Sequence, residues 1–197
     1  MGAKAEHLLA LCFLAGATAI PLAAQAHREV GAHEHGRGTL NIAVEGNRVT
    51  MELEVPGADI VGFEHAAKTR REKAAVEKAK AHLAAPLALF VLPASAACQV
   101  TEAKVEVETG AHGHGAKATA KGAHAGKTSA KSDGHSEFHA EYAFECAAPG
   151  HLTAIEFGYF RAFDGAQKLT VNVITAKGQS KFEVTRATPS LSLAGMI

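Results

Sequence analysis

The sequence predicts an α+β fold: antiparallel β-sheets, one main helix, and a disordered histidine-rich loop. Three observations predict it. Short runs of alternating apolar and polar residues recur along the chain, as strands with one buried face require. One Ala-, Lys- and Glu-rich segment carries helix signals at both ends. The element order, ββαβ, loop, ββββ, lacks the βαβ alternation of a doubly wound parallel sheet.

The first 26 residues read as a cleavable secretory signal. Lys4 precedes an apolar stretch over 8–20, too short for a comfortable membrane span, and Ala24-Gln25-Ala26 fits the A-x-A cleavage pattern. Lipid attachment at Cys12 is the weaker reading, because Leu11 stands where a small residue is expected. Residues 27–197 then form a single exported domain of ordinary size, not embedded in a membrane after cleavage.

Residues 27–37, HREVGAHEHGR, form a polar arm with His27, His33 and His35. Leu40, Ile42 and Val44, then Val49, Met51, Leu53 and Val55, alternate around Glu45-Gly46-Asn47, which predicts a β-hairpin with positive φ at Gly46 and Asn47. Pro56-Gly57 ends the second strand, and an irregular connection containing His65 follows. Thr69-Arg70-Arg71-Glu72 is a capping box. The helix it opens has an apolar stripe of Val76, Ala79 and Leu83 and runs to about Ala85, where Pro86 stops it. PLALFVLP is a short buried turn or helix. A strand over 98–108 places Ala103, Val105 and Val107 on one face.

Residues 110–135 hold almost no branched apolar side chains, so burial cannot offset the ordering entropy and a flexible insertion is expected. Order returns at Ser136. Phe138, Ala140, Tyr142, Phe144 and Cys146 share one strand face; Glu137, His139, Glu141 and Glu145 share the other. Strands over 152–157, 169–173 and 179–185 complete the domain, with GYFRAFDG as a connection or helical turn.

Without the signal, two cysteines remain. An even pair in an oxidising compartment reads as a disulfide, Cys98–Cys146, with a Cys-based zinc site as the weaker alternative. Closing about 49 residues stabilises by roughly 4 kcal/mol on the chain-entropy view. The bridge is expected to tie off the base of the histidine loop.

Histidine is the outlier, with 12 copies against 20 basic and 20 acidic residues. Balanced charge and few aromatics give no basis for nucleic-acid binding. Neutral imidazole suits Zn, Cu and Ni. The candidate metal ligands are His27, His33 and His35 in the arm, His65 in the connection, His112, His114, His124 and His135 in the loop, and His139 on its strand. H-x-H pairs on flexible backbone can turn two rings toward one ion, and His139 shares its strand face with Glu137 and Glu141. Each histidine taken alone is more simply a solvated polar residue; His82 and His151 read as ordinary surface. Lys117, Lys121, Lys127 and Lys131 repel a divalent ion, which makes the loop a weak collector rather than a tight site. After cleavage the His27 α-amine and imidazole together would suit Cu2+, so copper or nickel handling is the alternative to Zn2+. An interaction module with incidental histidines is a third reading. No G-x-S-x-G, H-E-x-x-H, Walker loop or G-x-G-x-x-G is present, so we expect a binding protein rather than an enzyme.

HREVGAHEHGRGTLNIAVEGN, MELEVPGADIVGFEHAAKT and FHAEYAFECAAP resemble the zinc-regulated periplasmic proteins of Gram-negative bacteria, the ZrgA-like family. The resemblance spans nearly all of the chain after the signal. It implies a periplasmic zinc-binding accessory protein that captures or buffers Zn2+ and supports uptake alongside a zinc ABC transporter. By position it points to His33, His35, His112, His114, His124 and His135. The chain departs from the pattern in its loop, where lysines replace the expected acids.

Overall fold

The computed structural model describes residues 36–109 and 135–197. The signal segment, the arm up to His35 and loop residues 110–134 lie outside the described residues.

Strands β1 (Arg37–Glu45) and β2 (Arg48–Pro56) form the expected hairpin, with Leu40 opposite Leu53 and Val44 opposite Val49. Only Gly46 of its two-residue turn takes positive φ, at 60°. Gly-Asn in that order suits a turn whose first central residue alone is left-handed, so Asn47 need not follow.

After β2 come α1 (Gly57–Val61) and α2 (Arg70–Leu83). The α2 capping box is formed: Thr69 Oγ1 accepts from the Glu72 amide at 3.1 Å, and Glu72 Oε2 accepts from the Thr69 amide at 2.9 Å. Ala79 and Leu83 of the apolar stripe are buried. The helix ends at Leu83, before Pro86 opens α3 (Pro86–Leu89). The PLALFVLP run holds both α3 and a short strand, β3 (Phe90–Val91).

β4 (Cys98–Thr109) and β5 (Ser136–Cys146) form the second long hairpin. Their pairing shifts between Val100 and Glu102, leaving Thr101 as an extra residue. This bulge puts Val100 at an even position and Ala103, Val105 and Val107 at odd positions on the same sheet face as Phe144 and Tyr142, with Val105 and Val107 half-buried there and Val100 and Ala103 exposed. It also turns Glu102, Lys104, Glu106 and Glu108 outward. β6 (Ala154–Phe157), α4 (Tyr159–Ala162), β7 (Lys168–Thr175), β8 (Gly178–Thr185) and β9 (Ser190–Ser192) complete the chain.

Six strands form one sheet in the order β4-β5-β2-β1-β7-β8, and β3-β6-β9 form a small second sheet. The main sheet is mixed, not wholly antiparallel as expected: β1 and β7 run parallel, Arg37 beside Lys168 and Ala43 beside Ile174. The chain between β5 and β7 passes through β6 and α4 and re-enters the sheet at the end where β1 begins. A crossover of that kind makes the returning strand parallel. The core lies under one face of the main sheet, where Leu40, Met51, Phe138, Phe144 and Val171 meet Phe90, Phe157, Tyr159 and Phe160. Tyr142 reaches across it and donates its hydroxyl to Leu83 O at 2.9 Å.

The Cys98–Cys146 disulfide is present. Its expected place at the loop's base is corrected by the register. Cys98 pairs with Cys146 at one end of the β4–β5 hairpin, while Glu108–Glu137 and Thr109–Ser136 close the other. Ten strand residues, about 33 Å, separate the bridge from the loop's ends. The ladder, not the disulfide, closes the loop.

Candidate metal centre

Three of the chain's histidine-bearing segments attach at one end of the main sheet, while His151 follows β5 at the other. β1 starts there, β2 ends there, β4 ends there and β5 starts there, as the pairs Thr39–Glu54, Pro56–Glu137 and Thr109–Ser136 fix. The arm therefore joins the fold at Gly36. The loop leaves at Thr109 and returns at His135. The connection carrying Glu64 and His65 follows β2 at the same end.

The arm's root is held firmly. The Gly36 amide donates to the buried Asp59 Oδ1 at 2.7 Å, and its carbonyl accepts from the amides of Gln167 and Lys168 at 3.0 and 2.8 Å. Its φ of +80° needs glycine. Asp59 lies in the ADIVGFEHA run, and nothing in its local pattern marks it as the anchor of a residue 23 positions earlier.

Of the predicted metal-ligating residues, His65, His135 and His139 are described. His27, His33, His35, His112, His114 and His124 lie outside the described residues. His135 Nδ1 lies 2.7 Å from Glu64 Oε2. His65 stacks on Phe63 with centroids 5.0 Å apart, its Nδ1 is 3.1 Å from Ala66 O, and its Nε2 is 3.9 Å from Glu72 Oε1. Glu72 itself is held below the ordinary carboxylate range, chiefly by amide hydrogen bonds from Thr69 and Lys68. His151 Nδ1 is 3.2 Å from Ser95 O, beside the short helical turn Ala94–Ala96.

His139 occupies the solvent face of β5, with its side chain 28% exposed. Its Nε2 is 3.2 Å from Glu137 Oε2 and 3.9 Å from Glu108 Oε2. The hydrogen bond with Glu137 raises its pKa above the ordinary histidine value; partial burial opposes this, and the charges of Glu137, Glu108 and Glu54 add to it. Of the two same-strand carboxylates the alternation offers, Glu137 is the hydrogen-bonded partner. Glu108 and Glu54 come from neighbouring strands. Glu64 reaches His135 across 71 residues. None of these three was singled out by the sequence, although the even-position glutamates of β4 were a readable signal for an acidic outer face.

Among the described residues, no three His, Cys, Asp or Glu side chains already converge as a metal-binding group. The structure instead offers paired donors at one sheet end: His139 with Glu137, and His135 with Glu64. Each pair joins an imidazole to a carboxylate, a donor set that zinc accepts. Among the described residues, no helix is long and apolar enough to cross a membrane.

No curated protein matches the chain. The family model for ZrgA family zinc uptake protein matches residues 32–193, which cover every described element from β1 to β9. The chain therefore belongs to the ZrgA family of zinc uptake proteins.

Proposed function

We propose that this chain is a periplasmic zinc-binding accessory protein, exported by its first 26 residues, that captures or buffers Zn2+ and passes it to a zinc ABC transporter. It acts as a binding protein without catalysis. Family membership supports the role in zinc uptake. One structural observation supports zinc capture by several histidines together: Gly36, Thr109 and His135, the attachment points of both histidine segments, stand at the sheet end that also holds His139 and Glu137. The two segments are thereby tethered at the same end of the sheet. The arm would supply His27, His33 and His35, and the loop His112, His114, His124 and His135. Exchange among such ligands is fast where a closed four-ligand site releases slowly, which suits a carrier. The loop lysines weaken each loop contact and favour handover over storage.

Metal analysis and competition titration of residues 27–197 test this reading. More than one Zn2+ bound per chain, fewer after the arm and loop histidines are changed to alanine, is the expected result. Absence of chelator-reversible zinc, or a clear preference for Cu2+ that depends on a free His27 amine, would overturn it.

A further inference from the structure

β4 and β8 are the edge strands of the main sheet. An open edge offers backbone donors and acceptors to another chain, and folds usually guard it. β4 is guarded by its bulge at Thr101 and by Glu102, Glu106 and Glu108 set against the single Lys104. β8 holds neither proline nor bulge, and its ladder with β7 is unbroken from Thr175–Gly178 to Lys168–Thr185. The turn fixes which of its groups face outward. Thr175–Gly178 closes a two-residue turn and is a hydrogen-bonded pair, and such pairs alternate along an antiparallel ladder. Gly178, Ser180, Phe182 and Val184 therefore bond to β7. The amides and carbonyls of Gln179, Lys181 and Glu183 point away from it. Among the described residues, the one backbone hydrogen bond made on that side runs from Thr188 N to Thr185 O, at the last residue of the strand. The segment after β9 does not take up the rest. Met196 and Ile197 pack against the core, and Lys177 Nζ holds the carbonyls of Gly195 and Ile197 at 3.3 and 2.8 Å.

A second copy of β8 answers these groups in one register. Antiparallel self-pairing must set outward-facing residues opposite outward-facing residues. Centring it on Lys181 sets lysine against lysine, and centring it on Glu183 sets glutamate against glutamate. Centring it on Phe182 sets Lys181 opposite the partner's Glu183, and Gln179 opposite the partner's Thr185, with no like charges opposed. A lysine on an edge ordinarily repels a second strand. Here it meets a carboxylate. Lys181 is exposed and makes no ion pair among the described residues. Glu183 bonds Lys168, but its side chain stays 60% exposed and open to a second cation. On the core side, half-buried Phe182 faces its own copy as a non-hydrogen-bonded pair, the kind with Cα atoms only about 4.5 Å apart. Aromatic pairs at such positions stabilise a sheet.

We propose that β8 pairs antiparallel with β8 of a second copy of this chain, centred on Phe182, so that two six-stranded sheets join into one. Each hydrogen-bonded pair exchanges two backbone bonds, so the two Lys181–Glu183 pairs supply about four. β8 ends level with the start of β1, through the pairs Lys168–Thr185 and Arg37–Lys168. Antiparallel pairing therefore puts the two histidine-bearing ends at opposite ends of the joint sheet. Each chain keeps its own zinc ligands, and the proposal does not depend on the zinc-capture reading.

Sedimentation equilibrium of residues 27–197 in excess chelator tests it. The expected result is a reversible dimer that forms as concentration rises, weak because one strand pair buries little area. Lys181→Glu sets glutamate against glutamate at both central pairs and should raise the dissociation constant about tenfold. Glu183→Lys should do the same. The double variant Lys181→Glu with Glu183→Lys rebuilds both pairs with the charges exchanged and should recover most of the association. Lys104→Gln, on the other edge, should change nothing. Thermal melting checks that each variant folds, since Glu183→Lys also breaks the contact with Lys168. A monomer at every concentration up to about 1 mM overturns the proposal. So does a dimer that both single reversals leave intact, a folded double variant that does not recover, or an equal loss in Lys104→Gln. A dimer that forms only with Zn2+ added is bridged by metal ligands and overturns it too.

Discussion

The backbone amide of Gly36 donates a 2.7 Å hydrogen bond to the carboxylate of Asp59, buried 23 residues further along the chain. This bond sets where the histidine-bearing arm joins the sheet. Asp59→Ala leaves the Gly36 amide without that acceptor. The expected cost is about 2 kcal/mol, the range for a hydrogen bond to a charged group. In a domain of this size that lowers the melting temperature by about 4–8 °C. Calorimetry of residues 27–197 checks it; an unchanged melting temperature would show that the amide finds water instead.

His139 should make stability depend on pH in a defined direction. Its folded pKa is raised, chiefly by Glu137. The contribution is therefore fully present below the unfolded histidine value and is lost as pH rises through the folded value. Its size is at most about 1 kcal/mol, because the ring is partly exposed. Urea unfolding of wild type and His139→Gln should differ more at pH 5.5 than at pH 8.5. Zinc competes with the same proton, so zinc affinity should fall over the acidic side of this window.

Loss of the disulfide should destabilise the domain without changing zinc capacity. Replacing both Cys98 and Cys146 with alanine is expected to cost about 2–5 kcal/mol. The hairpin end that holds Glu108, Glu137 and His135 remains closed by its own ladder. Zinc stoichiometry of the double variant at a temperature where it is folded checks this. A fall in stoichiometry would restore the disulfide as the fastener of the loop.

Deletion of Thr101 should be tolerated. Thr101 is the extra residue of the bulge, and its removal leaves Val100 and Ala103 on one sheet face and Glu102 on the other in an unbroken ladder. The expected change is under about 1 kcal/mol, as at other exposed positions without special contacts. A loss of several kcal/mol would mean that the bulge's twist is itself needed.

Much of this molecule was legible before its structure. Thr69 and Glu72 announced α2, and Leu40 to Val55 announced the first hairpin with its inward faces. Phe138 to Cys146 announced β5, and the alternation of Glu137 with His139 announced one edge of the candidate site. β3 and β9 were missed, because strands of two and three residues are too short to show a period. The bulge was missed although its sign, a switch from Val100 to Val105 and Val107 in alternate parity, was on the page.

The sequence by itself determined the long strands and the main helix, most of their buried faces, the cysteine pair and the concentration of imidazoles. These follow from rules that act over two to four residues and from composition. Tertiary structure alone decided that β7 lies parallel to β1 and that the disulfide sits far from the loop. It also decided that Glu108 meets His139, Glu64 meets His135 and Asp59 holds Gly36. Strand order and register depend on contacts between distant residues, whose entropy cost is met by the shared core, and no local pattern encodes which strands will share it.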